Sequence, residues 1–337
     1  MLRLVARFCV PLLLLVAGCK PDSIQLPFTE PQSGTGYDLH HIVALTVDTL
    51  LAVGGSQYYY GCQTISFDGG RTWHPDSLAH LELNGAAVVG HGSKGCIVVG
   101  YGSTVLTTAV FPSDRHAWQS ITLKPSANAT VTSVNNYDHL RAVAFGSPTS
   151  GVIAGGGVYH IGTLLHLDAA GNVDHYTTLD HELASVAYAD TATVVAVGYG
   201  AVLRSTDGGR VFSPLSLGGD FYKTVAFTSP HTGYIVGYTG TVLRTDDGGE
   251  TWRTLRNPDT FGSSTHFRGA AFVATNAGER GLIVGESGLC YRTDDGGSTW
   301  KAVKGLPTTN FNAVTIVGNG AVLVGNGGHI VRLESVW

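Results

Sequence analysis

Residues 240–252 decide the fold, because the same pattern recurs along the chain. They read Gly-Thr-Val-Leu-Arg-Thr-Asp-Asp-Gly-Gly-Glu-Thr-Trp, residues 288–300 read Gly-Leu-Cys-Tyr-Arg-Thr-Asp-Asp-Gly-Gly-Ser-Thr-Trp, and residues 200–212 read Gly-Ala-Val-Leu-Arg-Ser-Thr-Asp-Gly-Gly-Arg-Val-Phe. Two short apolar segments precede each copy, so one repeat holds four short strands, named a, b, c and d here. The repeat therefore predicts an array of four-stranded sheets.

A glycine that closes strand b gives the register of the whole chain. It recurs at spacings of 46, 55, 43, 39, 48 and 40 residues, the period of a propeller blade, at Gly54, Gly100, Gly155, Gly198, Gly237, Gly285 and Gly325. The sequence therefore predicts an all-β fold, a seven-bladed β-propeller of four-stranded antiparallel blades. The seventh repeat ends without a strand d, so we expect residues 23–28 to supply this outer strand and close the ring.

The composition agrees with a β-rich fold. Glycine accounts for 46 of 337 residues, about twice its usual share, and charged residues for 13%, about half of theirs. High apolar content excludes disorder, and frequent glycine is unfavourable in helices. The net charge of −5 gives no basic field, so we expect no nucleic-acid partner.

The N-terminus is typical of an exported bacterial lipoprotein. Arg3 and Arg7 precede a short apolar stretch, and Leu15-Val-Ala-Gly-Cys19 resembles a lipobox. We expect residues 1–18 to be a signal peptide, Cys19 to be lipidated, residues 19–36 to form a tether and residues 37–337 the propeller. The chain would then be anchored by lipid to the cell envelope, on the periplasmic or surface side.

Three cysteines besides Cys19 follow the predicted signal peptide, and we expect them to be buried thiols. A disulfide between Cys62 and Cys96 is the open alternative.

Four turns between strands c and d share the pattern Ser/Thr-x-Asp-x-Gly-x-x-Trp/Phe. In such a turn the aspartate accepts backbone N–H groups, the glycines supply positive φ and the aromatic ring packs on neighbouring strands. The pattern predicts a structural and non-catalytic role for Asp68, Trp73, Asp207, Phe212, Asp247, Trp252, Asp295 and Trp300.

These turns resemble the Asp-box, or BNR, repeat of β-propellers. Over roughly residues 37–333 the chain is similar to the propeller family of photosystem II stability and assembly factors, best in the fourth to sixth repeats. The resemblance implies a seven-bladed, exported propeller with a non-enzymatic assembly or scaffolding role. It implies no photosystem, because this repeat type is widespread in bacteria that lack one.

Two sets of residues at equivalent blade positions are candidates for binding a partner. Strand c carries Arg204, Arg244, Arg292 and Arg332, which suit carboxylate or phosphate recognition but would equally join neighbouring blades. The b–c turns carry Tyr101, Tyr199 and Tyr238, which suit an interface but would equally be half-buried turn residues.

The sequence favours a non-enzymatic, monomeric propeller that binds a protein partner and needs no metal or cofactor. The alternative is a glycan-binding propeller or a sialidase-like glycoside hydrolase, which shares the Asp-box. A sialidase requires a Phe/Tyr-Arg-Ile-Pro segment, and a glycosidase requires two facing carboxylates. The sequence contains no such segment and no recognisable carboxylate pair. A purely structural envelope component is the third possibility.

Overall fold

The structure is a computed structural model that describes residues 23–89, 95–109, 118–127, 139–257 and 266–337. The predicted signal peptide, residues 1–18, and the predicted lipidation site Cys19 lie outside the described residues. Seven sheets follow one another along the chain, in the register of the strand-b glycines. The predicted fold class, a seven-bladed propeller of four-stranded and mostly antiparallel sheets, is therefore confirmed.

Strands are numbered in chain order, and β1 to β15 make up the first part of the ring. Before the blades come β1 (Ser23–Gln25) and β2 (Phe28–Thr29). Blade 1 contains β3 (Asp38–Ala44), β4 (Leu50–Ser56), β5 (Tyr60–Ser66) and β6 (His74–Ala79). Blade 2 contains β7 (Leu83–Val88), β8 (Cys96–Gly100), β9 (Val105–Thr108) and β10 (Gln119–Ser120). Blade 3 contains β12 (Leu140–Ser147), β13 (Ser150–Gly157), β14 (Ile161–Leu167) and β15 (Asn172–Leu179), with β11 (Lys124–Pro125) added parallel to β15.

The remaining blades contain β16 to β30. Blade 4 contains β16 (Leu183–Tyr188), β17 (Val194–Gly198), β18 (Val202–Ser205) and β19 (Ser213–Pro214). Blade 5 contains β20 (Tyr222–Phe227), β21 (Gly233–Gly237), β22 (Val242–Thr245) and β23 (Arg253–Arg256). Blade 6 contains β24 (Phe267–Thr275), β25 (Gly278–Gly285), β26 (Cys290–Thr293) and β27 (Lys301–Lys304). Blade 7 contains β28 (Phe311–Val317), β29 (Gly320–Gly325) and β30 (Ile330–Leu333). Single 3-10 turns lie at Tyr101–Ser103, Glu286–Gly288 and Asn326–Gly328.

The N-terminal segment closes the ring in two steps. β2 pairs antiparallel with β30, with Phe28 opposite Leu333, and so supplies the outer strand that blade 7 lacks. β1 runs parallel to β27 and becomes a fifth strand of blade 6. The single closing strand expected over residues 23–28 is therefore divided between two blades. Pro27 lies between the two short strands, where its missing N–H makes continuous pairing unfavourable.

The core is divided among the interfaces between blades. Seven apolar clusters occur in the described structure, and each joins two neighbouring blades. The cluster between blades 7 and 1 unites Val322 and Val324 with Leu39, Leu50 and Trp73, so the last blade packs on the first. Both faces of most strands are therefore buried, which explains why the sequence has so few charges.

The strand-b glycines mark points of close backbone approach. A Cβ atom on Gly198 would lie 1.9 Å from the carbonyl oxygen of Glu182, the residue before strand a of the same blade. A Cβ atom on Gly54 would likewise lie 1.9 Å from the carbonyl oxygen of Asp38, the first residue of β3. The recurring glycine is therefore required because strands a and b approach too closely there for any side chain.

The three cysteines of the propeller are free thiols. Cys62, Cys96 and Cys290 are all buried, and no disulfide joins Cys62 to Cys96. Burial raises the pKa of Cys96 and of Cys290 to about 12. The expectation of buried thiols is confirmed. No helix within the described ranges has the length and apolar character to cross a bilayer.

Candidate functional site

The Asp-box aspartates accept hydrogen bonds from residues of their own turns. Asp247 Oδ1 accepts from the Thr245 hydroxyl at 2.7 Å and from the Thr251 backbone N–H at 2.9 Å, while Oδ2 accepts from the Thr251 hydroxyl at 2.5 Å. The Trp252 ring N–H donates to the Gly249 carbonyl at 3.1 Å. These contacts hold the turn in its shape, as expected for a structural carboxylate.

The other three boxes repeat this arrangement, with Asp68, Asp207 and Asp295 each bonded to the preceding Ser or Thr hydroxyl and to backbone N–H groups. Burial acts to raise the pKa of Asp68 and Asp247, but these hydrogen bonds outweigh it and lower each pKa to about 2. The three other aromatic residues pack against or within clusters between blades; they are Trp73, Phe212 and Trp300.

The strand-c arginines join neighbouring blades. Arg204 Nε donates to the carbonyl of Gly248 at 3.1 Å, and Arg332 Nε donates to that of Gly69 at 2.8 Å. Each carbonyl belongs to the Asp-box turn of the next blade, so the second contact spans the closure between blades 7 and 1.

The remaining two arginines differ in their partners. Arg244 Nη1 reaches the Gly296 carbonyl at 3.4 Å and also pairs with Asp246 at 2.7 Å. Arg292 pairs with Asp294 at 2.6 Å instead, because blade 7 offers no Asp-box turn. All four guanidinium groups thus have partners within the chain, and their predicted role in binding a partner protein stays a prediction.

One face of the ring, the b–c face, carries the turns between strands b and c. These turns comprise residues 57–59, 101–104, 158–160, 199–201, 238–241, 286–289 and 326–329. Of ten exposed large apolar side chains in the described ranges, seven lie on this face or at its edge: Tyr37, Tyr58, Tyr59, Val158, Tyr159, Ile161 and Tyr199. The opposite, Asp-box face exposes Val47, Phe67 and Val211. The exposed apolar surface is therefore concentrated on one side.

The predicted tyrosines of this face contact aromatic rings of neighbouring blades. Tyr101 stacks on His139 with ring centroids 3.7 Å apart. Tyr199 is 47% exposed and lies 5.2 Å from the ring of Tyr159 and 5.6 Å from that of Phe221. The structure thus brings these residues into aromatic groups that cross the blade boundaries.

The third tyrosine, Tyr238, is half-buried. It stacks on His266 with ring centroids 4.5 Å apart, and its hydroxyl donates to Glu286 at 2.9 Å. This tyrosine therefore combines an aromatic contact with a polar one.

A ring of seven residues surrounds the central channel just inside the b–c face. In every blade strand a has a β-bulge directly after its first buried residue, as at Lys223 between Tyr222 and Thr224. The seven bulge residues all line one cavity of about 400 Å³: His40, Asn84, Arg141, Ala184, Lys223, Arg268 and Asn312. We call this ring the channel mouth. A bulge adds one residue and redirects its side chain, which explains how seven strands direct residues, all polar except Ala184, to one opening.

One cation of the channel mouth has no ion-pair partner within the described part of the chain. Arg141 pairs with Glu182 at 2.8 Å and Arg268 with Glu286 at 2.6 Å, but among the described residues no carboxylate pairs with Lys223. The Lys223 ammonium lies instead 3.6 Å from the ring centre of Phe221. Burial, reinforced by the charges of Arg141 and Arg268 and only partly opposed by those of Glu182 and Glu286, lowers the pKa of Lys223 to about 8.

Two parts of the chain match known protein families. Residues 218–335 match the family model of the Photosynthesis system II assembly factor YCF48, and residues 64–75 match the BNR/Asp-box repeat. The resemblance inferred from the sequence is confirmed. No curated protein sequence matches the chain.

Three solved structures illustrate the shared fold. YCF48 bound to D1 peptide has a TM-score of 0.68 at 18% identity and covers 95% of this chain and 99% of its own. YCF48 from Cyanidioschyzon merolae has a TM-score of 0.64 at 16% identity, covering 91% and 98%. The WD40 β-propeller domain of Doa1 reaches 0.68 at 10% identity, covering 92% and 97%. These likenesses show the fold alone, so function has to be argued from the side chains of the chain itself.

Two carboxylates that pair with residues of the channel mouth, Glu286 and Glu82, are poor candidates for the alternative glycosidase chemistry. Burial acts to raise the pKa of Glu286, but hydrogen bonds from Arg268, Tyr238 and His266 outweigh it and hold that pKa below its ordinary value. The pKa of Glu82 is lowered in the same way, against burial, by its contact with His40. A general acid needs a raised pKa, so these two groups suit electrostatic pairing better than proton donation.

Sequence reasoning missed the channel mouth and one group of metal-ligating side chains. The channel mouth depends on a β-bulge in each strand a, which the pairing of strands a and b reveals and the sequence of strand a alone does not. The second group is His166, Asp174 and His175 on blade 3, whose ligand atoms lie within 4.8 Å of one another.

Proposed function

We propose that this chain is a non-enzymatic, lipid-anchored propeller that binds a protein partner at the cell envelope through its b–c face. The observation that carries the proposal is the combination on one face of exposed aromatic rings with a channel mouth that holds a cation, Lys223, for which the described residues provide no ion-pair partner. Interfaces are enriched in tyrosine, and the fixed polar groups that they bury have partners on the other protein.

The apolar part of the face supplies contact area. Tyr59 is 81% exposed, and Val158 and Tyr159 are 62% and 58% exposed. A partner that covers such side chains gains about 25 cal/mol for each Å² of apolar surface removed from water.

The charged part of the face supplies orientation. A half-buried ammonium costs free energy, and an acidic side chain or a terminal carboxylate of the partner would restore the interaction that Lys223 lacks. YCF48 has been solved with a D1 peptide bound, which supports the idea that a propeller of this kind accommodates a peptide segment. We therefore expect the partner to place an acidic group at the channel mouth.

The location follows from the N-terminus. Cys19, in its lipobox context, is the proposed attachment point for lipid, and Ser23 already begins β1 on the edge of blade 6. Four extended residues span at most about 14 Å. The lipid would therefore hold the rim of blades 6 and 7 beside the membrane. A Cys19→Ala variant should lose fatty-acid labelling and leave the membrane fraction.

The function is tested by quantitative capture of the full chain from cross-linked membranes. Tyr199→Ala and Lys223→Met should each reduce recovery of one specific protein. The matched controls are Phe67→Ala, with 46% exposure on the Asp-box face, and Lys301→Met, a surface lysine paired with Asp294. Equal recovery by variants and controls would contradict the proposal.

The same experiment separates the alternatives. Arg244→Glu and Arg292→Glu should lower recovery only if the arginine set also contacts the partner. Binding of saccharides that depends on Tyr199 would favour the glycan-binding alternative, and no specific partner at all would favour a purely structural component.

A further inference from the structure

Blade 3 carries a cluster of polar side chains on its outer strands, away from the b–c face. His166 lies on β14, and Asp174 and His175 lie next to it on β15. The imidazole and carboxylate ligand atoms of the three residues all lie within 4.8 Å of one another. Two imidazoles and one carboxylate form a ligand set that transition-metal ions prefer.

A β-bulge builds this cluster. His166 is paired directly with His175, whereas Leu167 is paired with Val173, so Asp174 is the additional residue of the bulge. In a regular strand, adjacent residues point to opposite faces, and Asp174 and His175 would be separated by the sheet. The bulge instead brings both side chains to His166, as bulges near functional sites commonly do.

A link between blades explains part of the cluster. The Ser150 hydroxyl donates to the carbonyl of Gly208 on blade 4 at 3.2 Å and lies 3.1 Å from His166 Nε2. Asp174 Oδ2 accepts from Arg210 Nε, also on blade 4, at 3.2 Å. His166 thus takes the place of the strand-c arginines. None of these contacts with blade 4 involves His175.

On the inner side of the cluster both imidazoles face one carboxylate oxygen. His166 Nδ1 lies within hydrogen-bonding distance of Asp174 Oδ1, and His166 Nε2 faces the Ser150 hydroxyl. His175 Nδ1 is buried and lies 3.1 Å from the same carboxylate oxygen. When the two rings are neutral and deprotonated at Nδ1, as a metal-bound imidazole requires, two nitrogens and one carboxylate oxygen converge on one point that a divalent cation can occupy.

We propose that His166, Asp174 and His175 bind one divalent transition-metal ion, with zinc as the probe. His166 is 2% exposed, whereas Asp174 and His175 are 31% and 39% exposed, so water can complete a four-coordinate shell from the open side. Ser150 and Arg210 hold two of the ligands from behind, in the way that outer partners orient metal ligands. The ion would fasten β14 to β15 beside the interface with blade 4.

The test is titration of the metal-depleted full chain with zinc chloride in a calorimeter. We expect one ion per chain, and we expect His175→Ala and Asp174→Asn to weaken binding by roughly ten-fold or more. The control is His181→Ala, since His181 also lies 3.2 Å from a carboxylate, that of Asp180, but outside the cluster. Absence of a saturable one-ion site, or equal affinity in His175→Ala, would overturn the proposal.

A second measurement is independent of the variants. Cobalt(II) added to the unaltered protein should show the intense visible absorption of a four-coordinate site and lose it when zinc is added. A spectrum that stays that of cobalt in water would overturn the proposal, as would an absorption retained in Asp174→Asn that folds normally by circular dichroism.

Discussion

Replacing Lys223 with methionine should make the propeller more stable while weakening its binding of a partner. The ammonium lies over the rings of Phe221 and Tyr238, 3.6 and 5.5 Å from their centres, with two arginines of the channel mouth adding repulsion. Methionine keeps the length and the contact with the rings but removes the charge. Lys223 would then lower the stability of the propeller while it supports binding of the partner.

The size of the gain follows from the pKa. Burial and the two arginines lower the pKa of Lys223 from 10.5 to about 8, which at about 1.4 kcal/mol per pKa unit corresponds to about 3 kcal/mol. Because the side chain is partly exposed to solvent, we expect a measured gain of about 1–2 kcal/mol. The folded-state pKa lies below that of the unfolded chain, so the cost is fully present below pH 8 and declines as pH rises toward 10.5.

The assay is denaturation by urea at several pH values between 6.5 and 9.5. The free energy of unfolding of Lys223→Met should exceed that of the unaltered chain at pH 6.5, and the difference should shrink above pH 8. Lys301→Met is the matched control and should stay within about 0.5 kcal/mol. A destabilised Lys223→Met variant, or a gain independent of pH, would refute the reasoning.

Three further predictions concern the closure and spacing of the blades, each measured as a change in the free energy of unfolding. Gly198→Ala should cost about 2–3 kcal/mol, because its Cβ would lie 1.9 Å from the Glu182 carbonyl, whereas Gly219→Ala in open space should cost little. Phe28→Asp should cost roughly 1–3 kcal/mol by disrupting β2 and its cluster, and an unchanged midpoint would show that β2 does not close the ring. Arg332→Ala should cost roughly 1.5–3 kcal/mol, since it removes a buried link between blades 7 and 1. A change in the free energy of unfolding near zero, as expected for an exposed arginine, would contradict the assignment of Arg332 as a link between these blades.

Much of the fold was predictable because a repeat shows its own register. The strand-b glycines recur at every blade, since no side chain fits between strands a and b at that point, so a single sequence is enough to count the blades. The Asp-box turns were predictable for a related reason. Their hydrogen bonds join residues no more than four positions apart, as from Thr251 to Asp247, and local chemistry is visible in local sequence.

The rest depends on contacts that are distant in sequence. The sequence predicted one strand over residues 23–28. In the structure β1 pairs with blade 6 and β2 pairs with blade 7. The sequence left open whether the strand-c arginines join neighbouring blades, because the acceptor can lie in the next blade, as Gly248 does for Arg204. The bulges at Lys223 and Asp174 reverse the direction expected from simple alternation, so both the channel mouth and the metal-ligating cluster required the structure.

Site-specific photo-crosslinking tests the central claim, binding through the b–c face, most directly. p-Benzoylphenylalanine would replace Tyr199, which is 47% exposed on the b–c face, and separately Phe67, which is 46% exposed on the Asp-box face. Irradiation of intact cells should yield one discrete protein adduct from position 199 and none from position 67. The same adduct from both positions, or from position 67 alone, would contradict the account.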